Sequence, residues 1–305
     1  MINTVNNICF QPLAEPIAPY VDQRAHFLGK LASTVLIDEA RLTPKPALVD
    51  ERGSGAHSDL TLQLMIDSAI ALQPYFEKMA RLAFKAKPTS RLREELANYG
   101  RSAEWAMYQV TAGSNSHRGA IWCLGLLVAA TAMNDLRTSA RIVAATAAEI
   151  ALLTDQSAPH TDSHGQFVKR AYGIDGAIAE AQQGFPHVIN AGLPHLRERR
   201  SAGAPEATCR LDALLMIMST LEDTCLVYRG GIKALATAQN GAREVLMLGG
   251  TSVTQGLARL AHLDSELLRL NASPGGSADL LAATMFLDSL ESMSVAQQTL
   301  ARISD

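Results

Sequence analysis

The stretch Asp135-Leu-Arg-Thr-Ser-Ala-Arg-Ile-Val-Ala-Ala-Thr-Ala-Ala-Glu-Ile-Ala-Leu-Leu153 sets the fold class. Its apolar residues recur at steps of three and four, the period of a helix with one buried face. The same texture extends outward from it. No proline occurs between Pro88 and Pro159, or between Pro205 and Pro274, and Ala, Leu, Met, Glu, Gln and Arg dominate both intervals. These residues enter a helix at little conformational cost. Strict alternation of β-branched residues is scarce and only 5% of the chain is aromatic, so a sheet has little to build from. The expectation is an all-α protein: one bundle-like domain over residues 1–305, about ten to twelve helices, and an N-terminal extension over 1–26. Helices are predicted near 27–41, 59–86, 90–111, 119–133, 135–154, 166–182, 184–199, 208–228, 231–247, 252–271 and 275–302, with Pro74 and Pro194 kinking or splitting theirs.

Of the 305 residues, 48% are hydrophobic and 19% charged, enough for a substantial core and against a disordered chain. Lys+Arg 27 against Asp+Glu 30 gives a net charge of −3, without the positive excess of a nucleic-acid scaffold. Cys9, Cys123, Cys209 and Cys225 are scattered, with no CxxC pair, which fits buried thiols in a reducing compartment. The N-terminus lacks the basic start and apolar run of a signal peptide. The most apolar stretch, Ala120 to Met133, falls short of the roughly 20 residues needed to span a bilayer. A cytoplasmic protein without membrane or nucleic-acid partners is expected.

In a bundle of alanine-rich helices, polar chemistry falls to the connections. Thr43 to Asp59 is a polar loop longer than closure needs, gathering Lys45, Asp50, Glu51, Arg52, His57 and Asp59. Lys45 lies between Pro44 and Pro46, which restrict the backbone that aims its ammonium. Asp50 and Asp59 are hard-oxygen donors suited to Mg²⁺, which takes one or two carboxylates beside substrate phosphates. The alternative is a solvated loop, with Asp59 supporting the next helix start. Thr111-Ala-Gly-Ser-Asn-Ser-His-Arg-Gly-Ala120 places Ser114, Asn115, His117 and Arg118 where a helix begins. Free N–H groups there favour an anion, although an ordinary cap with a surface arginine would read the same.

Three further connections complete the set. Tyr172 to Pro186 carries Glu180 in a small, apolar stretch. An unpartnered carboxylate is costly to bury, so Glu180 faces water or meets a cation; it is also a candidate proton acceptor. Glu222 to Gly231 holds Asp223 and Arg229 before two glycines, which break the helix for a ligand or simply end it. Asn271-Ala-Ser-Pro-Gly-Gly-Ser-Ala-Asp-Leu-Leu-Ala282 reads as an N-cap at Ser273 and a first helical residue at Pro274. Gly275 and Gly276 weaken that first turn by about 1 kcal/mol each relative to alanine, so a ligand or another helix comes close to the backbone there. Ser277 and Asp279 follow in the same turns.

Other features are weaker. Pro159 and Gly165 argue against one helix carrying both His160 and His164, and no third zinc ligand is evident; Arg197, Arg199 and Arg200 read as a solvated helix end or a patch for an acidic partner; Met216 and Met218 read as core. GxxxxGK[ST], GxSxG and HExxH are absent.

Lys45-Pro-Ala-Leu-Val-Asp50 with Gly55-Ala-His-Ser-Asp59, Gly113-Ser-Asn-Ser-His-Arg-Gly-Ala120, Tyr172-Gly, Glu180-Ala with Gly184-Phe-Pro186, Asp223-Thr224 with Arg229-Gly-Gly231, and Ser273-Pro-Gly-Gly-Ser-Ala-Asp-Leu-Leu281 together resemble the triphosphoribosyl-dephospho-CoA synthase family. The likeness covers about residues 28–290. One departure stands out: the family pattern has Arg-Gly directly before the glutamate, where this chain has Ile178-Ala179, removing a positive charge near Glu180.

The resemblance implies that ATP and 3′-dephospho-CoA give 2′-(5″-triphosphoribosyl)-3′-dephospho-CoA and adenine. That product is the precursor of a prosthetic group for the acyl-carrier subunit of malonate decarboxylase or citrate lyase. Leu36 to Asp50 is more similar to the malonate decarboxylase branch. With that reaction in view, Glu180 and His57 are the catalytic candidates. Lys45, Ser114, Asn115, His117, Arg118, Arg229, Gly275, Gly276 and Ser277 are the candidates for ATP and its phosphates. Asp50, Asp59, Asp223 and Asp279 are the candidate ligands of Mg²⁺, the implied cofactor. The partners are the two nucleotides and, downstream, an acyl-carrier protein; a homo-oligomer is compatible with the sequence. The rival readings are an N-riboside hydrolase, which would release the base to water, and a helical scaffold without activity.

Overall fold

The computed structural model describes residues 17–158 and 163–303. Among them are twelve α-helices: α1 (Ile17–Arg41), α2 (Leu62–Ala83), α3 (Ser90–Val110), α4 (Arg118–Met133), α5 (Ala140–Leu152), α6 (His164–Tyr172), α7 (Ala177–Gln182), α8 (Leu193–Ser201), α9 (Glu206–Met218), α10 (Thr224–Met247), α11 (Thr254–Arg269) and α12 (Gly275–Ile303). There is no strand among the described residues, only a bridge between Asp50 and Gly53. The all-α expectation is met.

The centre of the molecule is α4. Every residue from Cys123 to Ala132 is buried, and a helix apolar on all sides must be enclosed on all sides. Helices α1, α2, α3, α5 and α12 surround it. Leu124 and Leu127 are fully buried there, so truncating either to alanine would cost about 2–5 kcal/mol. This core holds the start of α4 rigidly, and that start is where the polar connections meet.

Local chemistry moves several boundaries away from their predicted places. Helix α1 begins at Ile17 and takes in residues assigned to the extension. Ala25 and Leu28 bury its inner face, while Arg24 donates to the carbonyls of Thr131 (2.7 Å) and Asn134 at the end of α4. Helix α5 starts five residues late, at Ala140. The Asp135 carboxylate accepts the Arg137 N–H (3.1 Å) and its carbonyl accepts the Thr138 N–H (3.0 Å), making a turn that competes with helix.

The predicted helix 166–182 divides at Gly173, which is left-handed (φ 71°). The predicted helix 184–199 becomes a π-helical turn, Val188–Gly192, followed by α8 with Pro194 in its first turn. Proline lacks the N–H that would close the preceding turn. Pro74, by contrast, lies inside an unbroken α2. The break predicted near Arg229 is a kink at Gly231 (φ 67°, ψ −168°) within α10, and a further interruption separates α9 from α10.

Arg197 pairs with Asp288 and Glu291, Arg199 with Asp212, and Arg200 with Glu206 and Asp288. They form a network between helices rather than a recruiting patch. Met218 is core, as predicted, and Cys123, Cys209 and Cys225 are free thiols. Cys9 and His160 lie outside the described residues. Among those described, no helix is long and apolar enough to cross a membrane.

Candidate active site

The head of α4, α6, α7, the α9–α10 corner and the head of α12 enclose a cavity of about 1500 Å³. A site for one drug-sized ligand measures roughly 300–1,000 Å³, so this one has room for two nucleotides. All five polar connections reach it. Of the candidate catalytic, phosphate-binding and metal-binding residues, all but Asp50 and Ser277 line it.

In the α1–α2 connection, Lys45 is buried and its ammonium donates to the Glu39 carboxylate and carbonyl, both at 2.6 Å. Its charge is thus matched by Glu39, a cavity-lining residue of α1. Asp50 turns the other way. Its oxygens accept the Lys45 N–H (2.8 Å), the Arg52 N–H (2.8 Å) and the Arg52 Nε (2.9 Å). Asp50 therefore braces the loop and does not line the cavity.

His57 Nδ1 lies 3.1 Å from Arg229 Nη2. An arginine can only donate, so Nδ1 accepts and carries no proton; Asp59 Oδ1, at 3.6 Å, is too distant for a hydrogen bond. Burial and the Arg229 charge lower the proton affinity of His57, against an opposing pull from Asp59. His57 is a neutral ring clamped to Arg229, with no basic nitrogen free at Nδ1. Arg229 also donates to the Ala56 carbonyl (2.9 Å), tying this loop to α10.

At the head of α4, the Asn115 side chain accepts the Arg118 N–H (3.1 Å), and Arg118 pairs with Glu104 (3.1 Å). Ser114 and Asn115 both line the cavity. His117 is buried, with Nδ1 3.0 Å from Ser68 Oγ and Nε2 without a partner. Burial, with Lys45 nearby, pushes its pKa down to about 3. His117 is therefore a neutral, buried ring in the cavity wall.

Gly119 has a steric reason: a Cβ there would lie 2.0 Å from Asp279 Oδ2. Asp279 accepts the Ala120 N–H from within the cavity wall. Burial first, then the neighbouring Asp223 and Glu39 charges, hold its carboxyl well above the usual range.

Trp122 of α4 donates to the Ala177 carbonyl (3.0 Å) and so fixes α7. Glu180 on α7 is buried. Its Oε1 accepts the His187 N–H (2.9 Å) and its Oε2 meets His187 Nδ1 at 2.7 Å. The hydrogen bond to Glu180, with further help from the Thr220 carbonyl, raises the His187 pKa against the opposing effect of burial. Glu180 and His187 both line the cavity as a hydrogen-bonded pair, and Ile178 lines it where the family pattern has arginine.

Asp223 has the opposite environment. Its carboxylate accepts from Cys225 N (2.9 Å), Gly276 N (3.2 Å), Ser277 N (2.8 Å) and Ser277 Oγ (2.9 Å), capping α10 and α12 together. A Cβ on Gly276 would come 2.9 Å from Asp223 Oδ1, and one on Gly275 would come 3.2 Å from Cys225 Sγ. The glycines allow this close helix approach while lining the cavity, and the Ser277 hydroxyl donates to Asp223.

The four aspartates do not form a metal cage. Asp50 is turned away, Asp223 is saturated, and among the described residues no group of three or more His, Cys, Asp or Glu is arranged to hold a metal ion. Asp59, half exposed on the wall, remains available. Glu39 and His187 were missed in the sequence. Glu39 sits in the last turn of α1 with no local mark, whereas the Gly184-Phe-Pro186 turn leads directly into His187 and back toward Glu180.

A sequence model of the family described as CitG: ATP:dephospho-CoA triphosphoribosyl transferase matches residues 25–297. The chain belongs to this family. A protein of Pseudomonas paraeruginosa named as a probable 2-(5″-triphosphoribosyl)-3′-dephosphocoenzyme-A synthase is 52% identical over 290 residues, 95% of this chain and 96% of that one. A protein of Pseudomonas aeruginosa with the same name is 54% identical over 268 residues, covering 88% and 92% respectively. A crystal structure from Archaeoglobus fulgidus, described as a candidate triphosphoribosyl-dephospho-CoA synthase, superposes with a TM-score of 0.50 at 17% identity. It covers 74% of this chain and 98% of its own, a likeness of fold. The enclosed polar residues described above are those of a member of this transferase family.

Proposed function

We propose that the cavity joins the triphosphoribosyl group of ATP to the 2′-hydroxyl of 3′-dephospho-CoA and releases adenine. The observation that carries this reading, beside family membership, is the convergence of all five polar connections on one cavity large enough for both nucleotides. In the reaction the C1′–N9 bond of ATP breaks with its electron pair leaving on adenine, and the acceptor oxygen bonds to C1′. The proton of the hydroxyl ends on the departing base. Positive charge grows on the sugar meanwhile, and the triphosphate is a handle.

Arg118 and Arg229 supply the cationic wall for the phosphates, with Ser114, Asn115 and the His117 ring as neutral contacts. Glu180, fixed in place by the backbone N–H and ring of His187, lines the cavity as the electrostatic partner of the developing sugar charge. Asp279, on the cavity wall, is the group to take the hydroxyl proton and pass it on to the departing base. Magnesium would enter on the triphosphate and neutralise part of its charge, with Asp59 as the protein carboxylate to hold it. The likeness of Leu36 to Asp50 favours malonate decarboxylase as the destination of the product through its acyl-carrier subunit.

The test is chromatography and mass analysis of ATP and dephospho-CoA incubated with the protein and Mg²⁺. Free adenine in equal amount with a coupled nucleotide supports the transferase. Adenine without coupling would make it a riboside hydrolase, and no product with no nucleotide-induced thermal shift would leave a scaffold. A ligand at about 100 times its Kd should stabilise the fold by about 2.7 kcal/mol.

A further inference from the structure

His164 opens α6, and its ring lies on that of Tyr228 in α10, with centroids 3.7 Å apart and planes 14° from parallel. Phe167, one turn on, meets the same tyrosine at 5.9 Å and 89°. All three residues are exposed, and His164 and Tyr228 line the cavity. Two flat rings stacked at a cavity wall, still open to solvent, form a surface on which a third flat ring can continue the stack. The stack also has charged neighbours. Arg118 and Arg229 lie close enough to disfavour protonation of His164, adding to the effect of its partial burial. The imidazole is thus a neutral platform beside two cations. A π-surface adjoining positive charge matches a nucleotide: the base on the rings, the phosphates toward the arginines.

We propose that the His164–Tyr228 stack seats the purine base of a nucleotide. This rests on the nucleotide reading of the cavity. Both proposed substrates carry adenine, so the shared chemistry is the adenine ring, and separate titrations identify its source.

The experiment is calorimetric titration of wild type, Tyr228→Leu, His164→Ala and Tyr228→Phe with ATP, dephospho-CoA and inorganic tripolyphosphate, after melting curves confirm that each variant is folded. Loss of a stacking ring should weaken an adenine nucleotide roughly tenfold. Tyr228→Leu and His164→Ala are expected to lose that much for at least one nucleotide. Tyr228→Phe should retain wild-type affinity, and tripolyphosphate, which has no base, should bind all four proteins equally. A loss confined to ATP assigns the seat to the departing base; a loss confined to dephospho-CoA assigns it to the acceptor. Unchanged nucleotide affinity in both variants overturns the stacking while leaving the transferase reading intact. So does an equal loss for tripolyphosphate. A wild-type protein that binds neither nucleotide overturns the transferase reading, and the stacking with it.

Discussion

The α1–α2 connection and the short helix α7 each set an acid beside a base, yet they use the pair in opposite ways. In the connection, Asp50 is enclosed by Lys45 N and Arg52, and neither oxygen reaches the cavity. On α7, Glu180 is fixed by His187 from one side and still lines the cavity. Residue type does not separate them. What separates a brace from a reactive group is whether the partners enclose the carboxylate or orient it toward open space.

Exchanging each acid for its amide is the sharpest way to break that contrast. Glu180→Gln is expected to slow adenine release by about 10²–10³-fold, the scale of losing one preorganised electrostatic contact. Asp50→Asn should leave turnover of the folded protein near wild type while lowering stability by about 1–3 kcal/mol through disturbed buried hydrogen bonds. Rate assays alongside denaturant melts decide this. Equal loss of turnover in both, with stability untouched, would erase the distinction.

Gly119→Ala probes the same idea through space rather than charge. Its Cβ would collide with Asp279 Oδ2, and a carboxylate displaced by about 1 Å can cost about 10²-fold in rate. The variant should fold, bind nucleotide and turn over slowly; wild-type turnover would mean that the position of Asp279 does not matter. Asp223→Ala belongs with the braces. By uncapping two helices it should destabilise the protein by about 2–4 kcal/mol in thermal melts, at about 1–2 kcal/mol for each cap. A melt unchanged from wild type would contradict the double-cap role.

The smallest effect concerns pH. His117 is held neutral in the fold, with its pKa lowered to about 3. Its contribution to stability is therefore complete above the unfolded value near 6.5. It declines as acid protonates the unfolded chain first, by up to about 1.4 kcal/mol per pH unit between those two values. Replacing His117 with Gln should flatten the difference in stability between pH 7 and pH 5. An unchanged slope would show that other groups set it.

Much of the fold could be read from the sequence because punctuation was local. Helices α3, α4 and α12 begin and end within about a residue or two of their predicted bounds, where Thr89, the Gly113–His117 turn and Pro274 mark the starts. Where a turn made by a side chain competed with helix, as at Asp135, periodicity alone extended the helix too far. The five connections line one cavity, but which side chains they turn inward depends on partners far away in sequence. Asp50 is drawn into its own loop, and Ser277 is drawn to Asp223, 54 residues earlier. Glu39 becomes a cavity residue only through the packing of α1, which no local pattern announces.

The central claim is that five separate connections form one nucleotide cavity. Hydrogen–deuterium exchange, with ATP and dephospho-CoA present and absent, tests it directly. Amides in 43–59, 111–119, 176–187, 222–230 and 271–279 are expected to gain protection together. Protection limited to one of these segments, with the other four exchanging as in the free protein, would contradict it.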